Sequence, residues 1–136
     1  MPLEQHDIDY TFTKSERLCS KKAIDDLFSA GKSNTQFPIK VIYKLSEFES
    51  TFPVRVLFVV PKKKHKRANK RNVLKRRMRE AYRLKKHVLY KALEFQKIDM
   101  MFVYLSNQAV NYAEIDKCIS LLLNSVVNKI GSMAMK

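Results

Sequence analysis

The sequence predicts an α/β (α+β) two-layer sandwich, with helices packed on a mixed central sheet. Residues 37–45 (FPIKVIYKL), 53–60 (PVRVLFVV) and 98–105 (IDMMFVYL) are strand-length runs rich in β-branched and aromatic side chains. Segments at about 15–31, 69–95 and 111–127 instead carry apolar residues at helical spacing. The two kinds alternate along 136 residues, a length that predicts one domain over 1–136 with a buried core.

Each element has its own signal. Residues 1–14 are expected to be a loosely ordered lead-in. From Ser15, Leu18, Ile24, Leu27 and Phe28 recur at roughly helical spacing, and Gly31 marks the stop. The polar link 46–51 (SEFEST) predicts that the first two strands pair antiparallel. A basic loop begins at Pro61 and a long helix follows over about 69–95, before the third strand. Asn111 with Glu114 resembles a capping box, opening a helix through Ile115, Ile119, Leu122, Leu123, Val126 and Val127. Residues 131–136 (GSMAMK) are expected to fray.

The composition excludes several function classes. No apolar run approaches the roughly 20 residues a membrane helix needs. Glu4, Asp7 and Asp9 precede any apolar run, so no secretory signal is read, and a soluble cytoplasmic protein is expected. Cys19 and Cys118 lack metal-like spacing and sit among apolar neighbours, which predicts reduced, buried thiols. The histidines at 6, 65 and 87 are scattered, and Asp25-Asp26 is the one adjacent acidic pair. Two glycines cannot build a phosphate-cradling loop. No catalytic residue and no protein metal site are assigned.

The charge is concentrated instead. Residues 62–86 hold eight Lys, six Arg and one acid, Glu80, which accounts for thirteen of the net fourteen positive charges. On a helical projection Leu74, Met78, Ala81 and Tyr82 form a narrow core stripe. Lys75, Lys86, Arg79, Asn72, Arg83 and Arg76 occupy one contiguous arc beside it. Cations at 71, 75, 79 and 83 repel at four-residue spacing, an arrangement that makes sense when phosphates neutralise them. A solvated surface helix usually mixes signs, and a membrane-surface helix needs a broader apolar face with Trp. Nucleic acid is therefore the favoured partner, and guanidinium groups suit phosphate. His65 and His87 are read as phosphate contacts or solvent-exposed groups. Phe28, Phe37 and Tyr43 could offer a stacking platform for unpaired RNA bases, and each could equally be core.

A more specific string lies within the basic window. Arg71-Asn72-x-x-Lys75-Arg76 continues to Arg79-Glu80 and is preceded by Pro61-Lys62-Lys63 and Ala68. Upstream come Phe12-x-Lys14-x-Glu16-Arg17-Leu18, then Phe28 and Gly31-x-Ser33. Over roughly residues 12–130 the chain resembles the protein subunit of bacterial ribonuclease P. The resemblance implies the order α-β-β-(β)-α-β-α with a left-handed βαβ crossover, against the general right-handed rule. It also implies a non-catalytic RNA-binding subunit, assisting a catalytic RNA that removes the 5′ leader from precursor tRNA. Substrate and magnesium affinity would improve, with Mg2+ held mainly by the RNA and substrate. Carried over by position, Lys62, Lys63, Lys66, Arg71, Asn72, Lys75, Arg76, Arg79 and Arg83 would face the catalytic RNA. Phe28, Tyr43, Arg17, Ile24 and Ser33 would form the leader cleft. Val73 stands where many relatives have a third basic residue, which Lys64, Lys66, Lys70 and Arg77 offset. Ile24 stands where an aromatic often lines the cleft. No DNA or membrane partner is expected. The competing readings are a ribosomal protein or assembly factor clamping RNA, and a metal-dependent nuclease acting alone.

Overall fold

The structure, a computed structural model, describes residues 12–48, 52–93 and 96–134. A 3-10 turn (Lys14–Glu16) leads to α1 (Lys21–Ala30), β1 (Lys32–Gln36), β2 (Ile39–Ser46) and β3 (Val54–Val59). Then come α2 (Ala68–Leu93), β4 (Lys97–Tyr104) and α3 (Tyr112–Ala134). The four strands form one mixed sheet in the order β1-β2-β4-β3. β1 and β2 are an antiparallel hairpin turning at a cis Phe37–Pro38 bond. β2 pairs antiparallel with β4, and β4 pairs parallel with β3. The parallel pair is joined by α2, which makes β3-α2-β4 a βαβ unit.

The pleat of β2 sorts the interior into two clusters. Ile39, Val41 and Tyr43 face the larger one, with Leu74, Met78 and Tyr82 of α2 and Ile115, Ile119 and Leu122 of α3. Ile42 faces the smaller one, with Leu27 of α1, Met101 of β4 and Leu18. The layer of α2 and α3 thus covers one sheet face, and α1 covers part of the other.

Several expectations change. The strands at 37–45 and 53–60 are not partners, because β4 lies between them. β4 is buried along nearly its whole length, and a strand apolar on both faces is stable only at the centre of a sheet. The first helix starts at Lys21, not Ser15. The Ser20 hydroxyl caps it by accepting from Ala23 N–H at 3.3 Å, and Leu18 is extended, its N–H bonded to the Val56 carbonyl at 2.9 Å. Within the expected lead-in, the Phe12 ring packs edge-on against Phe58 and Tyr82. Residues 1–11 lie outside the described residues, as do 135–136 of the expected frayed end, while α3 continues through Gly131 to Ala134. Cys118 is buried as expected, and Cys19 is exposed. Gly31 ends α1 with ordinary backbone angles, and close approach explains it. A Cβ there would lie 2.5 Å from the Leu27 carbonyl oxygen and 2.8 Å from Ile42.

Candidate nucleic-acid interface

The basic loop is built by short-range bonds. The Lys64 and His65 N–H groups donate to the Pro61 carbonyl at 3.1 and 3.2 Å, closing a tight turn after β3. His65 is buried, not presented to solvent. Its Nε2–H donates to the Ser106 carbonyl at 2.8 Å, and its ring lies 5.6 Å from that of Tyr104. Lys62, Lys63, Lys64, Lys66 and Arg67 are exposed around this anchor. They lead directly into the N-terminus of α2, where the helix dipole adds a partial positive charge to Lys70 and Arg71.

The helix divides its cations into distinct roles. Lys75, Arg76 and Arg79 have no ion-pair partner among the described residues, and Asn72 stands beside them in the exposed arc. Arg71 turns back, donating to the carbonyls of His65 and Lys66, both at 2.9 Å. Arg77 donates to the Val110 carbonyl at 2.8 Å, which ties α2 to the start of α3. Arg83 pairs with Glu80 at 2.8 Å, and that bond holds the Glu80 carboxyl below its usual range. Lys86 leaves the arc entirely. It is 2% exposed and ion-paired to Glu16, itself buried. The Glu16 carboxylate also accepts from Tyr90 Oη–H and from the Thr13 N–H and hydroxyl.

This buried cluster lashes residues 12–18 across the lower half of α2 and ends the exposed arc there. Above it a groove of about 340 Å³ opens between Phe12, Arg17 and Cys19 on one side and Asn72, Lys75 and Arg79 on the other. Arg17, expected in the leader cleft, therefore joins the basic arc. Its guanidinium lies 5.7 Å from the Phe12 ring centroid. Phe12 and Cys19 were not among the expected site residues. The motif containing Phe12 was visible, yet nothing local showed that the ring would wall this groove.

The remaining cleft residues separate as well. Phe28 is 65% exposed on α1, and Ile24 is half-buried against the sheet face below. Ser33 is exposed on the same face, since it pairs with Ile42. The row Thr35, Lys40, Val103 and Val59 continues that face across all four strands, with Thr35 exposed and the two valines half-buried against the smaller cluster. Tyr43 points the other way and is 4% exposed within the larger core, where burial pushes its phenol up. A larger concavity of about 720 Å³, lined by Lys44, Phe48 and Lys97, lies at the far end of the sheet from the basic loop.

Among the described residues no group of three His, Cys, Asp or Glu side chains could hold a metal ion. Nor is any helix among them long and apolar enough to cross a membrane.

Known proteins resemble this chain in sequence and in fold. A family model described as Ribonuclease P matches residues 12–127. The ribonuclease P protein component of Porphyromonas gingivalis is 32% identical over 129 residues, which is 93% of this chain and 94% of that protein. That of Chlorobaculum tepidum is 47% identical over 78 residues, covering 55% of this chain and 51% of the relative. The fold is that of the RNase P protein from Staphylococcus aureus, with a TM-score of 0.66 at 18% identity, over 83% of this chain and 96% of that one. The Thermotoga maritima protein gives 0.63 at 23% identity, over 80% and 96%. On the sequence matches, the chain belongs to the ribonuclease P protein component family, which provides the protein subunit of the endoribonuclease that processes tRNA 5′ ends.

Proposed function

We propose that this chain binds the catalytic RNA through its basic loop and the upper half of α2, and holds the precursor tRNA leader across the α1 face of the sheet. Family membership implies an RNA partner. The observation that carries the finer reading is the set of cations Lys62, Lys63, Lys66, Lys75, Arg76 and Arg79, without an ion pair among the described residues and joined by Asn72, on the loop and helix beside Arg17. Arg71 supports this face from behind by holding the loop carbonyls, and Arg83 shares its charge with Glu80.

The leader reading rests on Phe28 and Ile24 of α1 and on Ser33, Thr35 and Lys40 of the sheet face that α1 partly covers. Exposed aromatic and aliphatic surface there adjoins polar groups and one cation, a combination that accepts single-stranded RNA by stacking and charge. Tyr43 would contribute from beneath, as part of the sheet's support. Hydrolysis belongs to the RNA in this reading, with magnesium held by RNA and substrate phosphates. The protein lowers the electrostatic cost of bringing two polyanions together.

The test is cleavage of precursor tRNA in magnesium buffer by the protein alone, by a ribonuclease P RNA alone at low salt, and by the two together. Mature 5′ ends should form faster, and at lower magnesium, when the protein joins the RNA. Cleavage by the protein alone would overturn this assignment.

A further inference from the structure

Phe37 stands at the tip of the β1–β2 hairpin and is 68% exposed. Its backbone is held from two sides. The Cys118 thiol donates to the Phe37 carbonyl at 3.6 Å, and the Leu105 N–H donates to the Pro38 carbonyl at 2.7 Å. A ring on an anchored tip loses less freedom on contact than one on a mobile loop.

The same tip adjoins the basic loop through one short segment. Ile39 pairs with Tyr104, whose ring contacts His65, and Ser106 accepts the His65 bond. The tip and the cations at 62, 63, 64, 66 and 67 thus share one end of the molecule. Neither residues 27–46 nor residues 61–79 contain an acid. The strand leading to Phe37, β1, is Lys32, Ser33, Asn34, Thr35 and Gln36, with no apolar side chain of its own. A protein interface would surround such a ring with further apolar side chains and few charges. An exposed aromatic ring beside a strand of cations and amides suits a nucleobase, whose flat face stacks while its phosphates meet the charges.

We propose that Phe37 is a stacking platform for one unpaired nucleotide of the catalytic RNA, beside the phosphates gripped by the basic loop. This rests on the RNA-binding reading of that loop. It adds a base contact outside the expected leader cleft.

The chain contains no tryptophan, so Phe37→Trp creates a unique fluorescent reporter. Titration with a ribonuclease P RNA transcript lacking substrate should quench the tryptophan as anisotropy of the labelled RNA reports binding. Phe37→Ala should weaken that binding roughly 5- to 150-fold, with the salt slope unchanged, because stacking removes no phosphate contact. Unchanged emission on a saturated complex would overturn the Phe37 proposal and leave the RNA-binding reading intact. Quenching only with leader-bearing precursor tRNA would also overturn it, as would a Phe37→Ala variant of full RNA affinity that has lost self-association. Failure of the wild-type chain to bind the transcript at all would instead overturn the underlying reading.

Discussion

The carboxylate of Glu16 meets the ammonium of Lys86 in the interior, seventy residues along the chain, with both side chains almost entirely removed from water. Tyr90 and Thr13 complete the carboxylate's shell. Removing one partner of a buried pair strands the other charge, at a cost of about 3–5 kcal/mol. Lys86→Met should therefore lower urea stability by that order, and adding Glu16→Gln should recover more than half of it. A Lys86→Met variant within about 1 kcal/mol of wild type would show that the pair is not holding the strap down.

Alkaline stability follows from the same neighbourhood. Burial pushes the phenols of Tyr82 and Tyr90 well above their ordinary range, with the Glu16 charge acting in the same direction. Their contribution is fully present below the ordinary value of 10.0. As pH rises past it, the unfolded chain releases protons that the native chain retains, so stability falls. Each phenol should contribute a slope of about 1.4 kcal/mol per pH unit. Unfolding midpoints measured from pH 9.5 to 11.5 should flatten in Tyr82→Phe. An identical pH profile in that variant would place the alkaline loss elsewhere.

The two classes of cation on α2 should behave differently toward RNA. Lys75→Ala, Arg76→Ala and Arg79→Ala combined should reduce the slope of log affinity against log salt by about two or more, at roughly 0.7–0.9 per lost phosphate contact. Arg71→Ala should mainly destabilise the 61–67 loop, since its guanidinium serves the His65 and Lys66 carbonyls. Its salt slope should change by less than one contact's worth. Filter binding across a salt series measures both, and equal slopes for triple variant and wild type would remove this arc from the interface.

Phe28 and Tyr43 should part company on mutation. Phe28→Ala should cost about 1–3 kcal/mol in affinity for leader-bearing precursor tRNA and little for the leaderless form. Tyr43→Ala should act on the fold, lowering thermal stability by about 3–5 kcal/mol like other large core truncations. Parallel losses for both substrates in Phe28→Ala would assign that ring another duty.

The parts legible in the sequence were those with a strong local period or cap. The α2 stripe of Leu74, Met78, Ala81 and Tyr82 is buried as its spacing predicted. Asn111 does cap α3, its Oδ1 accepting from the Glu114 N–H at 3.0 Å. The misses involve partners distant in sequence. A helical projection places Lys86 on the basic arc, and nothing within α2 reveals that residues 12–16 cross over it. Arg17, expected in the leader cleft, lines the groove beside Asn72, Lys75 and Arg79 for the same reason, because those neighbours come from α2. β2 and β3 do not pair, although a polar link of hairpin length joins them, because the apolar β4 takes the place between them. That uninterrupted run was itself the sign of a central strand.

The backbone bond from Leu18 to Val56, with Arg17 bridged to the same residue, has a consequence for solubility. β3 reads VRVLFV, six residues with one charge and no proline, and β4 occupies just one of its two sides. An open margin of that composition is a template for pairing with another molecule. The strap caps part of it, while the outer margin of β1 is protected by its polar KSNTQ sequence. A chain shortened past Leu18 would expose the β3 margin and should aggregate even where the core still folds. The segment that carries Arg17 to the groove thus also keeps the sheet from extending into its neighbours.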